Sequence, residues 1–245
     1  MVDRHFADPD LAVWYDAFCP CDERDDLAFY LPMVMTARAV LDVGCGTGQL
    51  LRRARDGGHA GRLRGLDPGV GMLTVARART DIEWVQGDLA SAPPVDRFDL
   101  IVMSGHAFQV LVTDDELRVA LAAICAALTD DGRFAFETRN PAARAWERWT
   151  ADQMFEVGDG TGTVVRMTNV ADGPVGDTLS FTSTYTSPRW PEPKRSRSTL
   201  RFLDAPAVAS FLAEAGLAIE QQYGDWDRSA LRPVSPEIIT VARRA

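Results

Sequence analysis

Residues 40–48, Val-Leu-Asp-Val-Gly-Cys-Gly-Thr-Gly, leave this chain few ways to fold. A short apolar run ends in an acid, glycine then occupies alternate positions, and Gln49-Leu50-Leu51-Arg52 follows. The pattern predicts a strand, a tight turn and the start of a helix. Glycine adopts positive φ and has no side chain to hold a ligand away, so N–H groups of such a turn approach a molecule bound at a helix N-terminus. Spacing then separates two kinds of ligand. A dinucleotide fingerprint, G-x-G-x-x-G, carries its third glycine where this chain has Gln49, and its turn faces a pyrophosphate. Asp42 instead brings a carboxylate to a place that repels a diphosphate and attracts an ammonium group.

The run Asp42-x-Gly44-x-Gly46-x-Gly48 resembles the first motif of the class I S-adenosylmethionine-dependent methyltransferases, and the resemblance continues downstream in order. Leu63–Asp67 looks like the second strand, ending in an acid; Ile82–Leu89 resembles the third, with its Gly87-Asp88-Leu89 ending; Phe98–Met103 resembles the fourth. The resemblance implies S-adenosylmethionine as cofactor and S-adenosylhomocysteine as product. By the same resemblance Asp42, Gly44, Cys45, Gly46 and Gly48 line the cofactor, Asp67 grips its ribose hydroxyls, and Asp88 accepts from its adenine amino group. Leu89 contributes backbone and packing, while Met72, Ser104 and the N-terminal Tyr15 complete the set. The implied fold is α/β, a doubly wound, mostly parallel seven-stranded sheet with an antiparallel last strand. The implied activity is methyl transfer by in-line displacement to an O or N atom of a small molecule. Two other functions stay open: a non-catalytic protein that binds the same cofactor and acts through partners, and an NAD(P)-dependent oxidoreductase, which Gln49 and Asp42 disfavour.

Further along, Thr113-Asp114-Asp115-Glu116 forms a capping box ahead of Leu117, Leu121, Ile124 and Leu128 at helical spacing, with Gly132 as a stop. Arg133–Thr138 reads as the fifth strand, Asp204 caps a helix running to Gly216, and strands follow near 217–223 and 237–241. Residues 36–138 and 204–245 thus make up the cofactor domain. Residues 139–203 are far too many for a simple connection and hold β-rich stretches at 163–167, 178–185 and 198–202. They predict a small antiparallel insert, either a lid and substrate wall at the binding edge or a dimerisation arm. Residues 1–35 predict a helical lid, in which Tyr15 either faces the cofactor or simply packs.

Methyl transfer asks mainly for alignment and desolvation, since the cofactor carries the activation. An acceptor that is protonated at neutral pH also needs a base, and histidine is suited to that pH. His106 follows the fourth strand at the binding edge and is the catalytic candidate, as base or orienter; the competing role is to bond a backbone carbonyl and shape its loop. Phe108, Glu137, Arg139 and Trp226 are candidates for the substrate wall.

The net charge of −9 argues against a nucleic-acid partner, whose phosphates call for a basic face. Of the 26 basic residues only Lys194 is a lysine, and its loop-like setting argues against Schiff-base chemistry. Cys19, Cys21, Cys45 and Cys125 are too scattered for a metal, and Cys19-Pro20-Cys21 is not a C-x-x-C pair. With no run of 18 apolar residues and no secretion signal at the N-terminus, the expectation is a soluble cytoplasmic protein away from membranes, with a small-molecule partner and a homodimer compatible with the insert.

Overall fold

The computed structural model describes residues 2–160 and 162–245, except for the side chain of Cys21. Its helices are α1 (Arg4–Ala7), α2 (Pro9–Phe18), α3 (Asp25–Thr36), α4 (Gln49–Asp56), α5 (Val70–Ala76), α6 (Asp114–Ala127) and α7 (Ala205–Glu214). The strands are β1 (Ala39–Val43), β2 (Arg62–Asp67), β3 (Glu83–Gln86), β4 (Phe98–Met103), β5 (Leu128–Arg139), β6 (Met154–Gly158), β7 (Val164–Val175), β8 (Thr178–Thr186), β9 (Lys194–Arg201), β10 (Leu217–Tyr223) and β11 (Glu237–Arg244). Seven of them form one sheet in the order β10-β11-β5-β4-β1-β2-β3. β1 to β5 pair in parallel, while β11 runs antiparallel to both β5 and β10.

Continuous apolar runs suit strands covered on both faces, and successive side chains go to opposite sides. Leu41, Ile101, Phe134 and Phe136 meet Leu117, Leu121, Val208 and Leu212 of α6 and α7. Val40, Leu100, Val102 and Ala135 meet Leu27, Tyr30, Leu50 and Leu51 of α3 and α4. Each such fully buried apolar side chain contributes about 1.5–3 kcal/mol, so the two layers hold the sheet and present the carboxyl ends of its parallel strands as one edge.

The capping box of α6 is present, with Glu116 N donating to Thr113 Oγ1 at 3.2 Å and Thr113 N donating to Glu116 Oε2 at 2.9 Å. The helix stops at Ala127, however, and Leu128, expected on its apolar stripe, begins β5. Gly132 is therefore no helix stop. It lies where β5 presses against β4, and a Cβ there would stand 2.8 Å from the Phe98 carbonyl oxygen.

The insert is a four-stranded antiparallel sheet ordered β6-β7-β8-β9. Its first strand, Met154–Gly158, was not among the β-rich stretches expected from sequence, because this edge strand is mostly exposed and lacks an apolar alternation. The N-terminal helices wedge between this sheet and α5. His5 N donates to Ser196 Oγ at 2.9 Å, the Tyr185 hydroxyl bonds to His5 Nδ1, and Lys194 Nζ pairs with Asp8 at 3.0 Å and Asp10 at 2.7 Å. Leu11 and Trp14 of α2 pack with Val165 and Tyr185. On the other side, Cβ atoms at Gly69 and Gly71 would lie 2.8 and 2.9 Å from the Phe6 carbonyl oxygen, so α1 seats directly on the start of α5. Among the described residues no helix is long and apolar enough to cross a membrane.

Candidate active site

The turn after β1 is left-handed at each of its glycines, with φ of 73° at Gly44, 56° at Gly46 and 80° at Gly48. Their roles differ. A Cβ at Gly44 would stand 2.7 Å from Ala107 Cβ, and one at Gly48 only 2.3 Å from the Trp84 ring. A Cβ at Gly46 would meet nothing within 4 Å. Two of the glycines therefore answer to packing as well as to φ, and Gly46 alone faces open space. Trp84, which sequence reasoning passed over, also crowds Gly65, where a Cβ would stand 2.6 Å from its ring, and packs with Cys45. Its place in a short strand gave no periodic signal.

Asp67 ends β2 and ties two turns together, accepting from Gly46 N at 2.8 Å and from Gly69 N at 2.7 Å. Asp42 is only 1% exposed, and among the described residues neither of its carboxylate oxygens has a hydrogen-bond partner. Burial pushes its pKa up to about 7, with Asp67 and Asp26 adding and Arg24 opposing. An isolated buried carboxylate is costly, and a native protein that keeps one needs a reason. A cationic ammonium group is a fitting partner, so the residues present suit the aminoacyl end of S-adenosylmethionine. Met72, Leu89, Cys45 and Ser104 are buried around the same edge. Asp88 is exposed and caps its own turn, its Oδ1 accepting from Ala90 N at 3.0 Å and Ser91 N at 2.7 Å.

The N-terminal helices clamp this turn through Asp16. Its Oδ1 accepts from Thr47 Oγ1 at 2.5 Å and Gln49 Nε2 at 2.9 Å, and Oδ2 lies 3.4 Å from Arg52. Gln49 also donates to the Cys19 carbonyl at 3.0 Å and accepts from Arg24 at 3.3 Å. The position that a dinucleotide fold reserves for glycine thus carries an amide that staples the N-terminal helices to the turn. Tyr15 is partly buried, packs edge-on to His5 at 5.5 Å, and its hydroxyl makes no hydrogen bond among the described residues. Cys19 and Cys45 are free thiols, and the Cys21 sulfur lies outside the described residues.

Beyond β4 the chain makes two successive left-handed residues, Gly105 at φ 68° and His106 at φ 61°. That conformation is uncommon for histidine and is often found at functional sites. Buried acids hold it: Gly105 N donates to Asp26 Oδ2 at 3.1 Å and His106 N to Glu137 Oε1 at 2.6 Å. Arg24 Nε pairs with Asp26 at 3.0 Å, and the Tyr30 hydroxyl donates to Glu137 Oε2 at 2.5 Å. Burial, with Asp26 adding, pushes Glu137 up to about 8, against the hydrogen bonds it accepts from Tyr30 and His106 N.

The ring of His106 contacts a carboxylate and not a backbone carbonyl. Its Nε2 lies 3.0 Å from Glu237 Oε2. A carboxylate only accepts, so Nε2 carries the proton and Nδ1 keeps its lone pair, with no protein partner among the described residues. Burial and the Arg139 charge lower the His106 pKa, against the pull of Glu237, and the ring is neutral at pH 7. Sequence reasoning missed Glu237. The available signal was topological: β11 is antiparallel to β5 and pairs Glu237 with Arg139, which puts its first residue at the binding edge.

Among the other candidates, Phe108 stacks on Phe136 at 4.2 Å and belongs to the core. Trp226 covers His106 edge-on at 6.5 Å and packs against Phe29 and Tyr30. Glu137 braces the His106 turn. Arg139 ends β5, its Nη1 donating to Gln109 Oε1 at 2.9 Å and its guanidinium lying 5.4 Å from the Trp149 ring centre. An open groove of about 500 Å³ between α3 and β10 shares no residue with this cluster. Among the described residues no group of three or more His, Cys, Asp or Glu side chains is arranged to hold a metal.

The methyltransferase domain family matches residues 40–132. A 2-phytyl-1,4-naphtoquinone methyltransferase from Thermosynechococcus vestitus is 33% identical over 132 residues, 50% of this chain and 56% of that protein. The chain spans about half the length of the curated relatives it matches. Among solved structures, the CcbJ methyltransferase from Streptomyces caelestis is similar at a TM-score of 0.75 and 21% identity, over 98% of this chain and 96% of that one. The SAM-bound amino pentose methyltransferase CalS10 from Micromonospora echinaspora is similar at a TM-score of 0.70 and 22% identity, over 94% and 96%. At these identities the two structures establish the fold.

Proposed function

We propose both a specific activity and its premise, that the chain belongs to the class I S-adenosylmethionine-dependent methyltransferases, which the matches over residues 40–132 and over half of the chain support. It methylates an amine nitrogen of a small molecule. The observation that carries the premise is the Asp42 carboxylate near the end of β1, partnerless among the described residues and ahead of a turn whose Gly46 faces open space, a receptor for the cofactor's ammonium group. When bound, S-adenosylmethionine supplies a methyl group activated on a sulfonium sulfur. Asp67 keeps lone pairs for ribose hydroxyls beyond the two it gives to Gly46 and Gly69, and Asp88 keeps Oδ2 for the adenine amino group. The N-terminal helices, held by Asp16 and Gln49, cover the turn and exclude water.

His106, oriented by Glu237, takes the proton of the acceptor at Nδ1. Nitrogen is favoured over an alcohol oxygen by pKa matching: ammonium groups titrate at about 8 to 10, within reach of an imidazole, and alcohols far above. The likeness to an amino pentose methyltransferase supports the same choice, since it extends over 94% of this chain and so well beyond the motif region. Calorimetry with S-adenosylmethionine, S-adenosylhomocysteine and NADH tests the premise, and the two sulfur nucleosides are expected to bind while NADH does not. Mass spectrometry of matched amine and alcohol libraries tests the acceptor. Transfer to alcohols alone refutes the nitrogen assignment, and binding without any transfer supports a non-catalytic role.

A further inference from the structure

We propose that Arg139 is an oxyanion receptor, so that the molecule methylated carries a carboxylate or phosphate group apart from its acceptor nitrogen. The substrate part of this inference rests on the methyltransferase assignment; the receptor itself does not. Arg139 sits at the carboxyl end of β5, directly across from Glu237 in the sheet and beside Trp149 at the start of the insert. Among the described residues it has no carboxylate within 4.0 Å, unlike the other partly buried arginines near this edge. Arg24 is paired with Asp26, and Arg201 lies 2.7 Å from both Asp114 and Asp177.

The nearby acids are engaged elsewhere. Glu237 holds the His106 ring, and Glu137 accepts from Tyr30 and from His106 N. They reach Arg139 only through space, as does Tyr15 of the lid. What holds the guanidinium is neutral: the Gln109 carbonyl and an aromatic face. Gln109 is itself fully buried and pinned by donating to the Arg201 carbonyl at 2.9 Å, so it orients Arg139 without cancelling its charge.

A guanidinium carries five donors, and withdrawing it from water with one neutral acceptor is unfavourable unless something else completes the set. Its planar fork matches a carboxylate or phosphate in two parallel bonds. The position explains why a cation is left open here. An oxyanion on Arg139 stands on the insert side of His106, which fixes the direction in which an acceptor lies across the edge and gives Trp149 a flanking role.

The test uses the full chain, with and without saturating S-adenosylhomocysteine, titrated with inorganic phosphate and with acetate at constant ionic strength in chloride. The wild type is expected to show saturable binding of at least one probe. Arg139→Gln weakens it by about tenfold or more, as expected for losing hydrogen bonds to a charged group, and Arg139→Lys, which keeps the charge but not the fork, falls between. Unchanged affinity of Arg139→Gln for S-adenosylhomocysteine shows that the fold and the cofactor turn are intact; if that variant does not fold, Arg139→Lys against wild type carries the comparison. Preference for acetate identifies a carboxylate-bearing acceptor, and preference for phosphate a phosphoryl-bearing one. Equal binding to wild type and variants, or no saturable binding to wild type, overturns the proposal. Should S-adenosylhomocysteine itself fail to bind, the methyltransferase assignment falls, while the probe titrations of the cofactor-free protein still decide on Arg139.

Discussion

Between Val40 and Gly48 the residues that shape the cofactor turn are contiguous, whereas the cleft around His106 draws Arg24, Asp26, Tyr30, Glu137 and Glu237 from distant parts of the chain. The two regions share one sheet edge and leave opposite charges open. Just ahead of the turn, Asp42 has no hydrogen-bond partner among the described residues; in the cleft the acids are engaged, and Arg139 has no carboxylate within 4.0 Å among the described residues. A site's unanswered charge indicates the complementary charge of its ligand. Under the proposed function, that difference assigns an ammonium-bearing cofactor and an anion-bearing acceptor to two ends of a single edge.

The contrast is broken most severely by overfilling the turn. Gly48→Val forces a Cβ against Trp84 and a left-handed β-branched residue, with an expected loss of about 3–5 kcal/mol from overpacking and backbone strain together. Gly46→Ala meets only the strain, about 1–2 kcal/mol. Urea denaturation of both variants checks the asymmetry, and equal losses would show that Trp84 packing does not shape the turn.

Next in size are the cleft variants. His106→Ala and Glu237→Gln are each expected to lower turnover of an amine acceptor about 10²-fold or more with S-adenosylhomocysteine affinity unchanged. Parental rates across the pH range would remove His106 from proton transfer and leave it a loop-shaping role.

Asp42 offers a smaller, pH-dependent effect. Its folded pKa of about 7 is raised above the unfolded value of 3.8, so its contribution to folding is most favourable at low pH and is lost as pH rises from about 4 to 7. Glu137, raised from 4.5 to about 8, shifts stability in the same direction. Binding an ammonium partner demands the ionised form of Asp42, so cofactor affinity is expected to fall by up to about tenfold per pH unit below 7. Asp42→Asn should flatten that slope in calorimetric titrations. A slope unchanged in the variant would assign the proton to another group.

Smallest is the link between lid and insert. Lys194→Ala removes pairs to Asp8 and Asp10 that are partly shielded from solvent, and a loss of about 1 kcal/mol is expected. Hydrogen exchange should show it as faster opening of α2 with the cofactor domain unaffected; uniform acceleration throughout the chain would mean that lid and domain open together.

Much of the cofactor domain was legible before any coordinates, because its signals are local. Strand, turn and helix follow from a run of neighbours, and alternating strands and capped helices imply a parallel sheet whose ligand edge is the carboxyl one. Leu128 and Gly132 show the limit of such signals: their spacing fits a helix, but pairing of β5 with β4 outweighs helical propensity there. The edge strand Met154–Gly158 shows another, since exposure erases the alternation that marks a strand.

By itself the sequence determined the fold class, the glycine turn and the acid ahead of it, since backbone sterics and the order of motifs act over a few residues. Only the tertiary structure decided that Glu237 meets the His106 ring, that Asp16 and Gln49 fasten the N-terminal helices, that Trp84 crowds Gly48 and Gly65, and that Arg139 meets a neutral amide but no carboxylate within 4.0 Å among the described residues. Those contacts join residues far apart in the chain, and burial, which makes each of them energetically consequential, exists only once the layers have closed.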